Sequence, residues 1–417
     1  MKTASRNNLL AIGPLNELAI GWLTMFVVGS DLFVVSPLLP LIAADYGISP
    51  SLAGLSVTVF SLTYMLSAPI LGHIADRIGR GRVLTYCLCA FSAANLLTAA
   101  AGNLTWLLAA RLLAGAAAAG VSPSVYALVG GSAPSDRRAT WLAIVVSGLL
   151  MSLSLGAPIG ALTGARFGWP IVFAGLGALG LLLVGANRLV WRDHHAPKTS
   201  AVPSGRLTMA TVAPRLAPTV VWSTAVYAMY TYLGDGLISL GYSTEEIAEV
   251  IVFYGCGAIS GVLIGGRMTD RLGALLTSTI GLAGLCLCFL LLRLALDAGV
   301  LVSCAFGLLS AVAQLFFPAQ QIRLANEFPA GRATVLAWNN SALFLGISLG
   351  SLIGGQAISH GGLDTNLMIS AAIAIVGLTI NLGGRPQRRL SAIRPKPPLD
   401  ITQQGPSHRP SGAPRAR

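Results

Sequence analysis

Asp31 is an acid in an apolar setting: it lies in the run Val27-Val28-Gly29-Ser30-Asp31-Leu32-Phe33-Val34-Val35, and the only other ion of that segment is Glu17. A charge at a bilayer centre costs about 2.5–3.5 kcal/mol on insertion scales, so such a residue is expected to be buried and paired, or to do chemistry. The chemistry open to a desolvated carboxyl is uptake and release of a proton. Arg111 is the natural partner, because the two residues sit at depths that agree within about 5 Å when each is counted from the outer end of its own segment. Two blander readings compete with a proton site: a permanent ion pair, or an arginine that snorkels to the interface. At mid-depth, Tyr64, Tyr227, Tyr230, Gln314, Trp338, Asn339 and Asn340 supply hydroxyls, amides and aromatic faces. As a set they suit a neutral or weakly charged, partly aromatic solute, although each alone is an ordinary packing residue or interhelical hydrogen bond. His73 and His360 fall at helix ends and are assigned no site.

A second constellation is mechanical and occurs twice. Gly72-His73-Ile74-Ala75-Asp76-Arg77-Ile78-Gly79 has a counterpart in Gly266-Arg267-Met268-Thr269-Asp270-Arg271-Leu272-Gly273, 194 residues later. At the same offset Arg138-Ala139-Thr140 lies over Arg332-Ala333-Thr334, and Ser154-Leu155-Gly156 over Ser348-Leu349-Gly350. The repeat predicts reciprocal contacts of Asp76 with the helix that starts at Arg332, and of Asp270 with the one that starts at Arg138. A carboxylate near a helix N-terminus gains about 0.3–1 kcal/mol. Gly72 and Gly266 would permit close helix approach. A latch made this way would hold one face of the molecule shut; solvated loop charge is the competing explanation.

The elements that position these residues follow from composition. Of 417 residues, 54% are hydrophobic and 10% charged, against about 25% charged in a soluble protein. At about 20 apolar residues per crossing, twelve spans are expected: 15–41, 50–72, 82–101, 104–129, 140–165, 169–191, 216–239, 245–266, 274–296, 299–323, 333–358 and 364–384. The first is too long for a signal peptide and reads as a retained helix. The chain thus divides into a six-helix unit (1–191), a polar linker (192–215), a second six-helix unit (216–384) and a tail (385–417) of disordered composition. The fold class is all-α integral membrane. Six being even, the two units point the same way through the membrane.

Twenty-four of the 27 Lys and Arg residues fall on one side of this plan; the exceptions are Arg111, Arg166 and Arg293. The positive-inside rule makes that side, with both termini, cytoplasmic. The formal net charge of +12 is therefore an orientation signal and excludes nucleic acid as a partner. The Cys87/Cys89 and Cys286/Cys288 pairs diverge by about 200° on a helix, wrong for shared metal ligation, so no metal and no cofactor are expected. No intramembrane His/Glu set or Ser/His/Asp constellation supports an enzyme.

These residues carry a family resemblance over nearly all of the chain outside the tail. Gly72 to Arg82 resembles the loop 2–3 signature of the major facilitator superfamily, with Asp76 and Arg77 at its centre. Arg111-Leu112-Leu113-Ala114-Gly115 resembles its fourth-helix motif. Gly148, Gly156, Pro158, Gly160 and Gly164 resemble the fifth-helix motif of antiporters, with Ser152 where glycine is commoner and Ala157 between Gly156 and Pro158. Together they look like the drug:proton antiporter branch, its sugar- and nucleoside-efflux-like members in particular. The resemblance implies twelve helices in two parallel repeats, an inner-membrane location, alternating access, and a proton site near Arg111; a monomer is expected, since nothing in the sequence demands more. The expected function is proton-coupled efflux of a small organic molecule. The alternative is an importer of a nutrient such as a vitamin or nucleoside. Pro158 and its glycines would kink helix 5, or only pack it.

Overall fold

A computed structural model describes residues 14–134, 137–191, 208–296 and 300–383. They form twelve helical spans with no strand among the described residues. The first half contains α1 (Pro14–Tyr46), α2 (Pro50–Ile78), α3 (Arg80–Ala99) and α4 (Leu104–Ser132). It continues with α5, made of Arg138–Met151, a π-helical turn Ser152–Gly156 and Ala157–Phe167, and with α6 (Trp169–Val190). In the second half, α7 comprises Met209–Tyr230 and a short continuation, Leu233–Ser239. Next come α8 (Thr244–Leu272), α9 (Ala274–Ala295) and α10, which is interrupted between Val300–Gln314 and Phe316–Glu327. The run Arg332–Gly383 is broken at Gly361 and Gly362 into α11 (332–360) and α12 (363–383).

The duplication is visible in the backbone. The glycines with positive φ are Gly47, Gly79, Gly168, Gly241, Gly273 and Gly362, and they fall into three pairs 194 residues apart: 47 with 241, 79 with 273, 168 with 362. Each pair ends equivalent helices with a turn that a Cβ would strain. The N-caps repeat as well. Ser49 accepts from the Leu52 amide ahead of α2, and Ser243, 194 residues on, forms a capping box with Glu246 ahead of α8.

One boundary departs from expectation. Residues 209–215, expected in the linker, are the first turns of α7, with Pro214 and Pro218 inside the helix. Tertiary contacts stabilise this extension against its prolines: Gln320 Nε2 donates to the Arg215 carbonyl at 2.7 Å, and Arg215 pairs with Glu327 at 3.0 Å. Residues 192–207 and 384–417, which include the rest of the linker and the tail, lie outside the described residues.

The two halves do not meet equally along their length. At the end where α1 starts, here the basal end, α4 and α5 make no substantial packing with α10 or α11. A Cβ on Gly72 or on Gly266 would have nothing within 4 Å. Toward the far end, α1 packs on α7, α2 on α11, and the later part of α5 on α8. There a Cβ on Gly255 of α8 would fall 2.5 Å from the Ser154 backbone. The bundle is open at its basal end and closed at its far end.

Candidate functional site

Asp31 and Arg111 meet inside the first half. Arg111 Nη1 donates to Asp31 Oδ1 at 2.6 Å, and the two side chains are 1% and 0% exposed. The guanidinium carbon sits 4.6 Å from the Phe60 ring centroid and 5.5 Å from that of Phe173, so aromatic faces from α2 and α6 replace part of its lost hydration. The pairing is not saturated. Asp31 Oδ2 and Arg111 Nε have no hydrogen-bond partner, whereas an arginine that forks a carboxylate would use two parallel bonds. The carboxylate is thus held through one oxygen, with the other left without a donor. The second half has nothing comparable at these places: with the 194-residue offset, Ala225 and Ala305 stand where Asp31 and Arg111 do.

The fifth-helix residues align α5 on α1. A Cβ would approach Trp22 O to 2.4 Å from Gly148, the Ser30 hydroxyl to 2.2 Å from Gly156, and Val34 to 2.1 Å from Gly160. Pro158 has no N–H for the Ser154 carbonyl, and Ser154 lies in the π-helical turn. The glycine row is thus the packing face on which the helix carrying Asp31 rests.

The mid-depth residues separate into distinct surroundings. Tyr64 of α2 stacks on Phe344 of α11 with centroids 3.5 Å apart, and Asn340 Nδ2 donates to its hydroxyl at 3.5 Å. Tyr227 lies 6.1 Å, centroid to centroid, from Tyr230, which lies 5.1 Å from Tyr254. Asn339 is turned away from Tyr64: it is 1% exposed and accepts from Thr219 Oγ1 at 2.6 Å within the second half. Successive helical residues diverge by about 100°, so Asn339 and Asn340 cannot both face α2. Trp338 packs beside Val212, Leu216, Leu324 and Val335. Gln314, partly buried, ends the first piece of α10. Sequence reasoning missed Ser122, which hydrogen-bonds Tyr64, and the partly buried Tyr126. Their spacings of 11 and 15 from Arg111 put both near its face of α4, which was a usable signal. Phe344, one turn beyond Asn340, was another.

The latch residues do not make the expected contacts in this conformation. Asp76 pairs with Arg80 across the α2–α3 turn instead of reaching the start of α11. Asp270, Arg77, Arg271, Arg138 and Arg332 are exposed and form no ion pair among the described residues. With the basal end apart, α11 and α5 begin out of reach of these carboxylates.

Comparison with known proteins agrees with this architecture. The profile of the Major Facilitator Superfamily matches residues 21–236 and 219–410. The chain is 27% identical over 374 residues to an uncharacterized MFS-type transporter, YbcL, of Bacillus subtilis, covering 88% of this chain and 96% of that one. It is 27% identical over 280 residues to a chloramphenicol resistance protein of Streptomyces lividans, covering 64% and 69%. Among solved structures, a D-xylose-proton symporter superposes with a TM-score of 0.75 at 17% identity, over 88% of this chain and 97% of the other. With two same-facing six-helix repeats and a profile match along almost the whole length, the chain belongs to the Major Facilitator Superfamily.

Proposed function

We propose that this protein is a proton-coupled exporter of small organic molecules, working by alternating access as a monomer in a bacterial-type inner membrane. The observation that carries the reading is the buried, half-satisfied Asp31–Arg111 pair, which sits in a helix that also borders the other half. Protonation of Asp31 would remove the charge that Arg111 holds, and with it an interaction that keeps α1 in place. The lysine and arginine bias makes the basal end cytoplasmic. The described conformation is then the one that loads from the cytoplasm. In the opposite conformation the Asp76 and Asp270 latches close against α11 and α5. Export is favoured over import by the fifth-helix glycines and by the relative named for chloramphenicol resistance. Tyr64, Tyr227, Asn340 and Phe344 offer aromatic faces and neutral hydrogen-bond groups, which suits an uncharged, partly aromatic cargo.

The test is accumulation of labelled chloramphenicol, and of a panel of other aromatic antibiotics, in inverted vesicles containing the protein. An imposed pH gradient, acid inside, should drive uptake of at least one compound, and a protonophore should abolish it. Uptake that persists undiminished with the protonophore would remove the proton from the mechanism. No gradient-driven uptake across the panel, with counterflow of a nutrient instead, would favour import.

A further inference from the structure

Asp31 lies inside the first half and its bond to Arg111 never crosses to the second. Coupling it to the movement of the halves therefore needs a second contact on the same helix. We propose that Ser36 and Tyr230, with the break that Pro37 makes in α1, form a clamp that holds the far end shut and releases when Asp31 loses its charge. The proposal rests on the proton-coupled reading above, and assigns to Tyr230 a gating role in place of cargo contact.

The clamp is built from two backbone carbonyls that their own helices leave without donors. Pro37 lacks the N–H that would bond the Phe33 carbonyl four residues back. Tyr230 is the last residue of the first piece of α7, so its carbonyl is among those a helix end leaves free. Each finds a hydroxyl from across the interface. Tyr230 Oη donates to the Phe33 carbonyl at 3.1 Å, and Ser36 Oγ donates to the Tyr230 carbonyl. Ser36 is 2% and Tyr230 3% exposed, and a buried carbonyl stripped of its donor costs more than the bond contributed. The Phe33 ring meets the Tyr230 ring edge-on at 6.0 Å. Pro40 acts in the same way on the Ser36 carbonyl, where the chain approaches closely: a Cβ on Gly234 of α7 would lie 3.0 Å from it. The halves dock where prolines have opened the ladder of α1.

The same segment of α1 carries both functions. Phe33 is two residues from Asp31, and Ser36 lies about 7.5 Å along the axis from it. A shift of α1 that follows loss of the Arg111 bond must therefore move both ends of the clamp. A void of about 10 Å³ adjoins it, lined by Leu32, Ser36, Val57, Tyr227, Tyr230 and Thr231 among others. Thr231 Oγ1 is buried there without a partner. The Thr231 hydroxyl offers Ser36 an alternative partner once it leaves the Tyr230 carbonyl.

Spin-label distances in the full-length protein in nanodiscs test this, with the native cysteines replaced. One label pair reports the far end (Phe167→Cys with Leu240→Cys), another the basal end (Ile78→Cys with Leu272→Cys). Ser36→Ala combined with Tyr230→Phe should raise the far-open population about three- to tenfold, the range for lost hydrogen bonds. Pro37→Ala, which restores a competing donor to the Phe33 carbonyl, should act in the same direction. Asp31→Asn should open the far end in the native background and add nothing in the clamp-less one. By contrast, Ser351→Ala removes a different bond between the halves, to the Gly54 carbonyl, and should add to Asp31→Asn in full. An Asp31→Asn effect of equal size with and without the clamp would overturn the inference and leave the proton-coupled reading standing. No effect of Asp31→Asn in any background would overturn both.

Discussion

Arg111→Met should cost about 3–5 kcal/mol of stability and abolish gradient-driven transport, whereas the double variant Asp31→Asn with Arg111→Met should fold nearly as well as the native protein and still not couple. The reasoning is the asymmetry of a buried pair. Removing one partner strands a charge at a site 0–1% exposed, and an uncompensated buried ion is worth several kcal/mol of destabilisation. Removing both charges deletes the desolvation penalty along with the attraction, which is often neutral for stability. Phe60 and Phe173, which flank the guanidinium, would pack on the methionine side chain, whose sulfur is well suited to aromatic neighbours. Thermal unfolding in detergent checks the stabilities, and vesicle uptake the coupling. If the double variant were as unstable as Arg111→Met, the damage would come from lost packing at position 111. If it kept a full response to a pH gradient, Asp31 would not be the proton site.

That pair is legible in the sequence alone, and the reason is energetic. An acid inside a nine-residue run that is otherwise uncharged and almost wholly apolar, and an arginine of matching depth, have few ways to coexist with a bilayer except together. The repeat and the span limits are legible for a similar reason, since crossing length and loop charge are dictated by the membrane. What the chain does not reveal is the state of the cleft. Asp76 pairs with Arg80 while the basal end is open, and the contacts expected of Asp76 and Asp270 with α11 and α5 would form only in a shut conformation that the sequence does not distinguish from this one. Tyr230 reads as cargo lining from its depth, whereas its hydroxyl satisfies a carbonyl in the other half. Pro37 announces that free carbonyl, but not which donor reaches it. Asn339 and Asn340 show the opposite limit: adjacent identical side chains whose roles depend on a helix rotation that periodicity does not set. The start of α7 is hidden because residues up to 215, Pro214 among them, read as linker until Gln320 and Glu327 of α10 are seen to hold that segment.

Two glycines that look alike in the family motifs should respond in opposite ways to added bulk. Gly115 lies one turn beyond Arg111, where α4 crosses α2 with almost no clearance. A Cβ there would fall 2.1 Å from the Phe60 carbonyl oxygen and 2.8 Å from its carbonyl carbon. Backbone cannot rotate out of the way as a side chain can, so Gly115→Val must push the helices apart by about 1 Å or more. Overpacking of this kind typically costs 1–3 kcal/mol; about 3 kcal/mol is expected here because two helices move. The same displacement draws the Phe60 ring away from the guanidinium, so coupling should fall with stability. Gly72 has open space around it in the basal-open conformation, so Gly72→Leu should leave the melting temperature of that state almost unchanged. Its cost should appear only when the basal end closes and α2 approaches α11, as a shift toward the basal-open population by about tenfold in the Ile78–Leu272 spin-label distance, the equivalent of about 1.4 kcal/mol. Asp76→Asn should shift the distance the same way, because it removes the latch instead of obstructing it. A Gly72→Leu protein with native distances at both ends would show that the α2 terminus never meets the second half, and the latch would have to be abandoned while the Gly115 crossing stood.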